Sequence, residues 1–232
     1  MARRDRGTPS HEDTTPPDGR TPPSGAGRQS DRRNAILRAA AQVIGERGVC
    51  ETRIADIAAR AGVSPGLAVY YFESKDRLLA EALTFAENRF YEELMAELET
   101  LSSSQERLVR LIERSCPMLD DSDYAEWTLW VELWSRALRD PEIEVQREIL
   151  DRRWRDTIAA IVREGRRSME FAPVDVDDFV VRLAALIDGL VIQVLLGDPD
   201  IGPERMRDVV LGMTARELGF DARVSPRRAA SD

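Results

Sequence analysis

Apolar residues recur at every third or fourth position along most of the chain, which is the spacing of helices that bury one face. The first such run starts at Asp31, and Gly48 stands where a helix would end. Its apolar face carries Ile36, Leu37, Ala40, Val43 and Ile44. The pattern therefore predicts a first helix from residue 31 to about Gly48.

Two short helices joined by a tight turn are predicted next. Thr52 is placed to cap a helix that reaches Ala61, and Gly62 supplies the break that follows it. A further helix of barely two turns covers residues 65–72. We therefore expect the succession helix, turn, helix over this segment.

The remaining helices are longer. Ser74 caps a connector helix that is expected over residues 75–101. Five further helices are predicted beyond residue 102, and they are set off by Pro117, Pro141, Pro173 and Pro203. No stretch alternates apolar and polar residues for long enough to predict a strand. The predicted fold class is all-α, with about nine helices.

The two ends of the chain lack this periodicity. Residues 1–30 are rich in Pro, Ser, Gly and charged residues, and so little apolar surface cannot offset the loss of chain entropy on folding. We expect residues 1–30 and 221–232 to be disordered tails. Between them we expect a small three-helix domain over residues 31–76 and a larger helical domain over residues 77–220.

Charge is unevenly divided between the two domains. Residues 1–75 hold 12 Lys and Arg against 9 Asp and Glu, although the whole chain has a formal net charge of −9. The acidic excess therefore lies in residues 76–232. Such asymmetry suggests that one end meets a polyanion, while a plain acidic surface is the simpler alternative.

Residues 62–66, GVSPG, fit the pattern G-x-S-x-G, which presents a nucleophilic serine in one class of hydrolases. Such a serine needs a nearby base and a strand that leads into the turn. The single histidine, His11, lies in the amino-terminal tail, and the segment before the turn has helical periodicity. We therefore interpret Ser64 as the N-cap of the helix over residues 65–72 and Pro65 as its first residue. No enzymatic activity is expected.

Metal and membrane sites are not expected either. One histidine and two distant cysteines, Cys50 and Cys116, cannot form a zinc site of the usual spacing. No metal or other cofactor is therefore predicted. The absence of a signal peptide at the start favours a reducing, cytoplasmic location. Polar and charged residues interrupt the long apolar stretch over residues 179–196, which predicts a buried helix rather than a membrane span.

A helix–turn–helix motif needs a short helix, a Gly-containing turn of three or four residues and a second helix whose start can enter the major groove. Residues 54–72 meet all three conditions. The stretch TRIADIAARAGVSPGLAVYYFESKDRLL, residues 52–79, closely resembles the DNA-binding domain of the TetR family of one-component repressors. The resemblance implies a dimeric, all-α regulator whose third helix reads operator DNA and whose larger domain binds an inducer.

The expected DNA contacts lie on and around this third helix, residues 65–72, which is the recognition helix of the motif. Tyr70, Tyr71 and Lys75 carry hydroxyl groups and an ammonium that can reach phosphates, although one of the tyrosines alternatively packs inward. The resemblance implies that Thr52 and Arg53, at the start of the preceding helix, contact the sugar–phosphate backbone of DNA. The full set is Thr52, Arg53, Ser64, Pro65, Gly66, Leu67, Tyr70, Tyr71 and Lys75.

Direct base recognition is expected to contribute little. The start of the recognition helix offers no Arg, Asn or Gln for paired hydrogen bonds to a base. We expect apolar contacts with thymine methyl groups, close backbone approach at Gly66 and DNA shape to contribute instead. Arg28, Arg32 and Arg33 either add phosphate or minor-groove contacts or are merely solvated.

All four tryptophans fall within one short part of the larger domain. Trp127, Trp130 and Trp134 share one helix face, and Trp154 lies on the next helix. Such a stripe often belongs to a core, but indole rings also line cavities, and the resemblance implies an inducer site among these helices. Asp188 is the expected polar partner, and the alternative for it is a buried salt bridge with an arginine.

Aromatic rings beside a carboxylate favour a cation or an amine as ligand. The segment WTLWVELWSRALRDPEIEVQREI, residues 127–149, is similar to the carboxy-terminal domain of the choline-responsive BetI-type subgroup. The expected partner is therefore a small-molecule inducer of unknown identity, cationic or aromatic in character. Once bound, it is expected to swing the connector helix and change the separation of the two recognition helices.

A helix that is apolar nearly all round needs cover on every side. A partner chain would supply that cover for residues 179–196, and the resemblance implies a four-helix bundle with residues 204–218 across a two-fold axis. The interior of a monomer is the alternative. The sequence thus predicts a homodimeric repressor of a palindromic double-stranded operator, released by a small molecule. A ligand-independent architectural DNA binder and a ligand-binding protein without operator recognition are the competing interpretations.

Overall fold

A computed structural model describes residues 25–117 and 121–221 of the chain. Nine α-helices and no strand occur within these two ranges, which confirms the all-α prediction. The helices are α1 (Gly25–Glu51), α2 (Ile54–Ala61), α3 (Pro65–Phe72), α4 (Lys75–Glu99), α5 (Ser104–Arg114), α6 (Asp121–Ala137), α7 (Pro141–Arg167), α8 (Val176–Leu195) and α9 (Pro203–Leu218).

Local capping chemistry sets most helix boundaries where the sequence predicts them. Gly48 takes a positive φ of 74° and kinks α1 at the expected stop. The Asp175 carboxylate accepts a hydrogen bond from the backbone N–H of Asp178 at 3.1 Å and so caps α8. Pro141 and Pro203 are the first residues of α7 and α9.

The amino-terminal helix is longer than predicted. It begins at Gly25 rather than at Asp31, so residues 25–30 are helical and the prediction that they are disordered is wrong. This segment contains no proline, and its Ala, Arg and Gln residues favour a helix. The other residues assigned to the tails, 1–24 and 222–232, lie outside the described ranges.

Two buried clusters hold the helices together. The first packs α1, α2, α3 and the start of α4 around Ile36, Ile57 and Phe72. The second joins the end of α4 to α5, α7, α8 and α9 around Leu108, Phe179 and Val210. α4 therefore belongs to both clusters.

α6 also spans both clusters. Leu129, Leu133 and Ala137 are buried in the first cluster, whereas Trp127 packs against the second. The first core therefore continues well beyond residue 76, into a helix that the sequence analysis assigned to the larger domain.

The long apolar stretch forms most of α8. Phe179, Leu183 and Ile187 line its buried face, while Val181 and Gly189 on the opposite face are exposed. Within the described ranges, no helix has both the length and the apolar content that a membrane crossing requires. The single chain thus covers only one side of this helix.

Candidate DNA-binding surface and ligand cavity

The turn between α2 and α3 has the geometry of a helix–turn–helix motif. Gly62 takes left-handed backbone angles of φ 68° and ψ 31°, which glycine adopts at low cost. The backbone N–H of Val63 donates to the Ala58 carbonyl at 2.9 Å and closes the end of α2. The Ser64 hydroxyl accepts from the Leu67 N–H at 3.3 Å. Ser64 is thus the N-cap of α3, as predicted, and a helix rather than a strand precedes the turn.

α3 divides into a buried face and an open face. Ala68 and Phe72 are buried in the first cluster. Pro65 and Gly66 at the start of the helix are exposed, and the Tyr70 side chain is the most open of the large apolar groups on α3, with 73% of its surface exposed. The open face carries no charged side chain along α3 itself. Apolar and hydroxyl contacts are therefore what this face offers to a groove.

The two tyrosines of α3 have different environments. Tyr71 is partly buried, and its ring lies edge-on to Tyr70 at 5.7 Å and tilted against Phe72 at 6.2 Å between ring centroids. The inward-packing alternative therefore holds for Tyr71, which packs against the first cluster. Tyr70 is the tyrosine that faces away from the protein.

Three residues that were predicted to contact the DNA backbone have different environments in the structure. Thr52 is fully buried, and its hydroxyl donates to the Gly48 carbonyl at 2.7 Å. This corrects the prediction that Thr52 caps α2, and the buried side chain is not placed for the implied contact with the DNA backbone. Lys75 is partly exposed, and its ammonium donates to the Val49 carbonyl at 2.9 Å, which leaves two N–H donors for a phosphate. Arg53 is exposed and is the actual N-cap residue of α2.

The arginines near the start of the chain are not all available to DNA. The Arg33 guanidinium lies 5.2 Å from the centre of the Phe72 ring and pairs with Glu81. Arg33 therefore supports the fold, whereas Arg32 is exposed. The side chain of Arg28 lies outside what the structure describes.

A cavity of about 1120 Å³ lies in the larger part of the molecule. All four tryptophans of the chain and Asp188 line it, although they come from three different helices. The Trp130 and Trp134 rings lie 6.1 Å apart between centroids. The structure thus brings together all five residues that sequence reasoning proposed for a ligand: Trp127, Trp130, Trp134, Trp154 and Asp188.

Carboxylates collect on the same part of the wall. Asp151 and Asp188 line the cavity beside Trp154, and Arg155 is their basic neighbour. Burial, reinforced by the charge of Asp151, raises the pKa of Asp188 to about 6, and Arg155 opposes this shift. Burial also raises the pKa of Asp151, against the charges of Arg147 and Arg155. No salt bridge among the described residues includes Asp188, so the alternative of a buried ion pair does not hold there.

Sequence reasoning missed several residues of the cavity wall. Glu87 is buried on α4, where it follows Leu83 by one helical turn on the inward face. An acidic residue at an apolar-face position is a signal that was available from the sequence. Phe90, one turn further on, and Arg114 from α5 also line the cavity. Their proximity depends on how the helices pack, which periodicity does not reveal.

Comparison with known proteins agrees with this arrangement. Residues 36–82 match the model of the tetR family of bacterial regulatory proteins, and residues 104–219 match the carboxy-terminal model of BetI-type transcriptional repressors. The chain belongs to the TetR family. It is a helix–turn–helix, DNA-binding transcriptional regulator, and this family is one of regulators rather than of enzymes.

Individual relatives in the TetR family share most of their length with this chain. The BetI regulator of Rhizobium meliloti is 31% identical over 181 residues, which are 77% of this chain and 85% of the relative. The BetI regulator of Escherichia coli K12 is 27% identical over 197 residues, which are 84% and 98% of the two chains. A transcriptional regulator from Saccharomonospora viridis, solved in complex with choline, is 35% identical with a TM-score of 0.76 and covers 82% of this chain and 98% of its own.

Proposed function

We propose that this TetR-family regulator is a cytoplasmic homodimeric repressor that a quaternary ammonium cation of the choline class releases from a palindromic operator. The proposal rests on the observation that four tryptophans and Asp188 line the same cavity. Indole faces attract positive charge, and a methylated ammonium is held by such rings without needing hydrogen bonds. The choline bound to the Saccharomonospora viridis relative supports the same class of ligand.

The charges on the wall favour a cation at this end of the cavity. Glu87, Asp151 and Asp188 contribute carboxylates, and Arg155 contributes one guanidinium. A buried carboxylate is costly unless a positive charge compensates it. A bound cation therefore gains from Asp188 and relieves the cost of its burial.

The exposed face of α8 supports a dimer. Val181 on this face is 57% exposed, and Leu196, just beyond the end of the helix, is 77% exposed. Ala185 and Gly189 lie between them and are also exposed. Small residues allow a second helix to approach closely, and apolar neighbours gain from being covered. A second copy of α8, related by a two-fold axis, meets both conditions.

α6 offers a route from the cavity to the DNA-binding helices. Trp130 and Trp134 face the cavity, while Leu133 on the same helix is buried against the first cluster. A ligand that fits one position of α6 better than another shifts the population of those positions. Because α6 packs on α1, such a shift moves the helix–turn–helix motif relative to that of the partner, and no covalent step is needed.

The test uses labelled duplex DNA from upstream of the chain's own gene and follows fluorescence anisotropy. We expect the wild-type protein to bind this DNA and choline to release it. Trp154→Ala should bind the DNA normally and need much more choline for release, because one wall of the cation site is gone. Arg152→Gln, an exposed change two residues before Trp154 on α7, is the matched control.

Two results would refute the proposal. DNA binding that choline leaves unchanged at any concentration indicates a ligand-independent binder. Choline binding without any binding to upstream DNA indicates a ligand-binding protein that lacks operator recognition.

A further inference from the structure

The cavity has a second charged region, opposite in sign to the first. Four arginines from α5 and α9 line it: Arg110, Arg114, Arg205 and Arg207. Two carboxylates, Glu113 and Glu204, line the same region. The α5–α9 region therefore has more positive than negative groups on its wall, whereas the region of Asp151 and Asp188 has more negative than positive groups.

The two α5 arginines have few hydrogen-bond acceptors in the folded chain. The Arg110 Nη1 donates to Glu97 at 3.3 Å, and the Arg110 Nε lies 3.5 Å from the Glu113 carboxylate. Arg114 approaches the carboxylates of Glu97 and Glu93 only at 3.5 and 3.6 Å. The Nε–H groups of both arginines are buried without a hydrogen-bond partner. The donors that a ligand could use are therefore the Nη–H groups, of which only one, on Arg110, makes a hydrogen bond within the described chain.

The same two guanidinium groups are held in place from outside the cavity. Glu93 and Glu97 belong to α4 but are not among the residues that line the cavity. The Arg114 guanidinium also lies 5.7 Å from the centre of the Phe90 ring, which is part of the wall. These contacts, together with that of Glu113 on the wall, fix the positions of the two arginines. The side chains of Arg110 and Arg114 remain 28% and 35% exposed, so a ligand in the cavity can still reach them.

The volume of the cavity exceeds the needs of a small cation. Pockets of about 300–1,000 Å³ enclose drug-sized ligands, and the cavity here measures about 1120 Å³. Choline is far smaller than a drug-sized molecule. A choline molecule against the tryptophans therefore leaves the arginine region unfilled.

We propose that the ligand of this cavity is a zwitterion, with a quaternary ammonium group against the tryptophans and Asp188 and a phosphate or carboxylate group against Arg110 and Arg114. This inference rests on the proposed cation site and adds the second half of the ligand. Opposite charges at the two ends also fix the direction in which the ligand lies, because the reversed orientation places like charges together.

Calorimetric titration with two probes tests the proposal. Choline and phosphocholine share the quaternary ammonium group, and only phosphocholine carries an anion. We expect phosphocholine to bind the wild-type protein about 10-fold or more tightly than choline, because charge-assisted hydrogen bonds of this kind contribute factors of roughly 10 to 100.

The double variant Arg110→Gln/Arg114→Gln should lose this preference and keep its affinity for choline within about twofold. Arg152→Gln/Arg163→Gln removes the same charge from exposed positions outside the cavity and should keep the preference. Retained choline affinity also shows that the double variant is folded.

The outcomes separate the two proposals. If choline binds and phosphocholine binds no better, the cation site stands and the zwitterion proposal is overturned. If the double variant loses both ligands equally, the arginines support the fold rather than an anion, and the zwitterion proposal is again overturned. If neither probe binds the wild-type protein, the proposed cation site itself fails.

Discussion

The Arg136 guanidinium donates to the Asp76 carboxylate at 3.0 Å and thereby joins α6 to the first turn of α4. Arg136 lies two residues after Trp134 of the cavity wall. Asp76 lies four residues after the end of the recognition helix α3. A second hydrogen bond, to Glu132 at 2.9 Å, fixes the arginine along α6. This ion pair connects the wall of the ligand cavity to the base of the DNA-binding motif.

Breaking that ion pair should weaken the response to ligand more than it weakens the fold. Asp76 is 74% exposed, so the pair contributes about 1 kcal/mol or less to stability. We expect Arg136→Gln to shift the thermal midpoint little and to raise the choline concentration for half-release of DNA several-fold. Arg152→Gln, which breaks an exposed pair within α7, should leave release unchanged. An unaltered release midpoint in Arg136→Gln would show that the pair transmits nothing.

Asp188 should make ligand affinity depend on pH. Its pKa of about 6 lies above the ordinary value of 3.8 because burial disfavours the charged form. Choline affinity should therefore rise as pH increases through 6, where the carboxylate ionises. In Asp188→Asn we expect affinity to be weak and nearly independent of pH over the same range. A wild-type affinity that is flat between pH 5 and pH 8 contradicts the role of Asp188.

Asp188 should also make the stability of the fold depend on pH, and stability should fall over the pH range in which choline affinity rises. Because its folded pKa is raised, the folded chain holds the Asp188 proton more tightly than the unfolded chain between about pH 4 and pH 6. Stability from this group is present at low pH and is lost as pH rises through 6. We expect Asp188→Asn to melt at a higher temperature than wild type at pH 7.5, and the two melting temperatures to converge near pH 4.

Lys75 contributes both to the fold and, as we propose, to phosphate binding. Lys75→Met keeps the aliphatic chain but removes the donor to the Val49 carbonyl, which should cost about 1 kcal/mol. If the ammonium also contacts DNA, the salt dependence of operator binding should fall by about one unit in the log–log slope for each subunit, which is about two units for the proposed dimer. Tyr70→Ala, an exposed and uncharged change, should weaken binding without altering the slope. An unchanged slope in Lys75→Met would remove Lys75 from the DNA contacts.

The dimer proposal is tested at Gly189. A Cβ atom built at this position meets nothing within 4 Å beyond the neighbouring backbone of its own helix, so we expect the folded monomer to tolerate Gly189→Arg. Across a two-fold axis it places a charge inside an apolar interface. We expect this variant to sediment as a monomer and to lose operator binding, while Ala160→Arg on the exposed side of α7 stays dimeric. A dimeric Gly189→Arg would show that this face of α8 is not the interface.

Local chemistry explains why much of this fold was predictable. The cap at Ser64 and the start of α7 at Pro141 depend on side chains within a few residues, so the sequence alone indicates them. The tryptophan stripe was recognisable because Trp127, Trp130 and Trp134 share one helix face. Asp188 was recognisable because a charge inside an apolar run needs an explanation.

Contacts between distant segments were not predictable in the same way. Threonine is a common helix-cap residue, but packing of α2 against the kinked end of α1 buries Thr52. Lys75 turns toward Val49 because α4 begins beside the end of α1. The position of Arg110 in the cavity depends on how α5 packs against α9. The spacing of apolar residues within α5 does not indicate that packing.

The tryptophans provide a direct test of the central claim that cavity occupancy releases DNA, because all four line the cavity and report on its contents. Choline is titrated into the complex with labelled operator DNA, and tryptophan fluorescence and DNA anisotropy are recorded together. The account predicts that both signals change over the same range of choline concentration. A fluorescence change that saturates while the DNA stays bound, or release of DNA with unchanged tryptophan fluorescence, would contradict it.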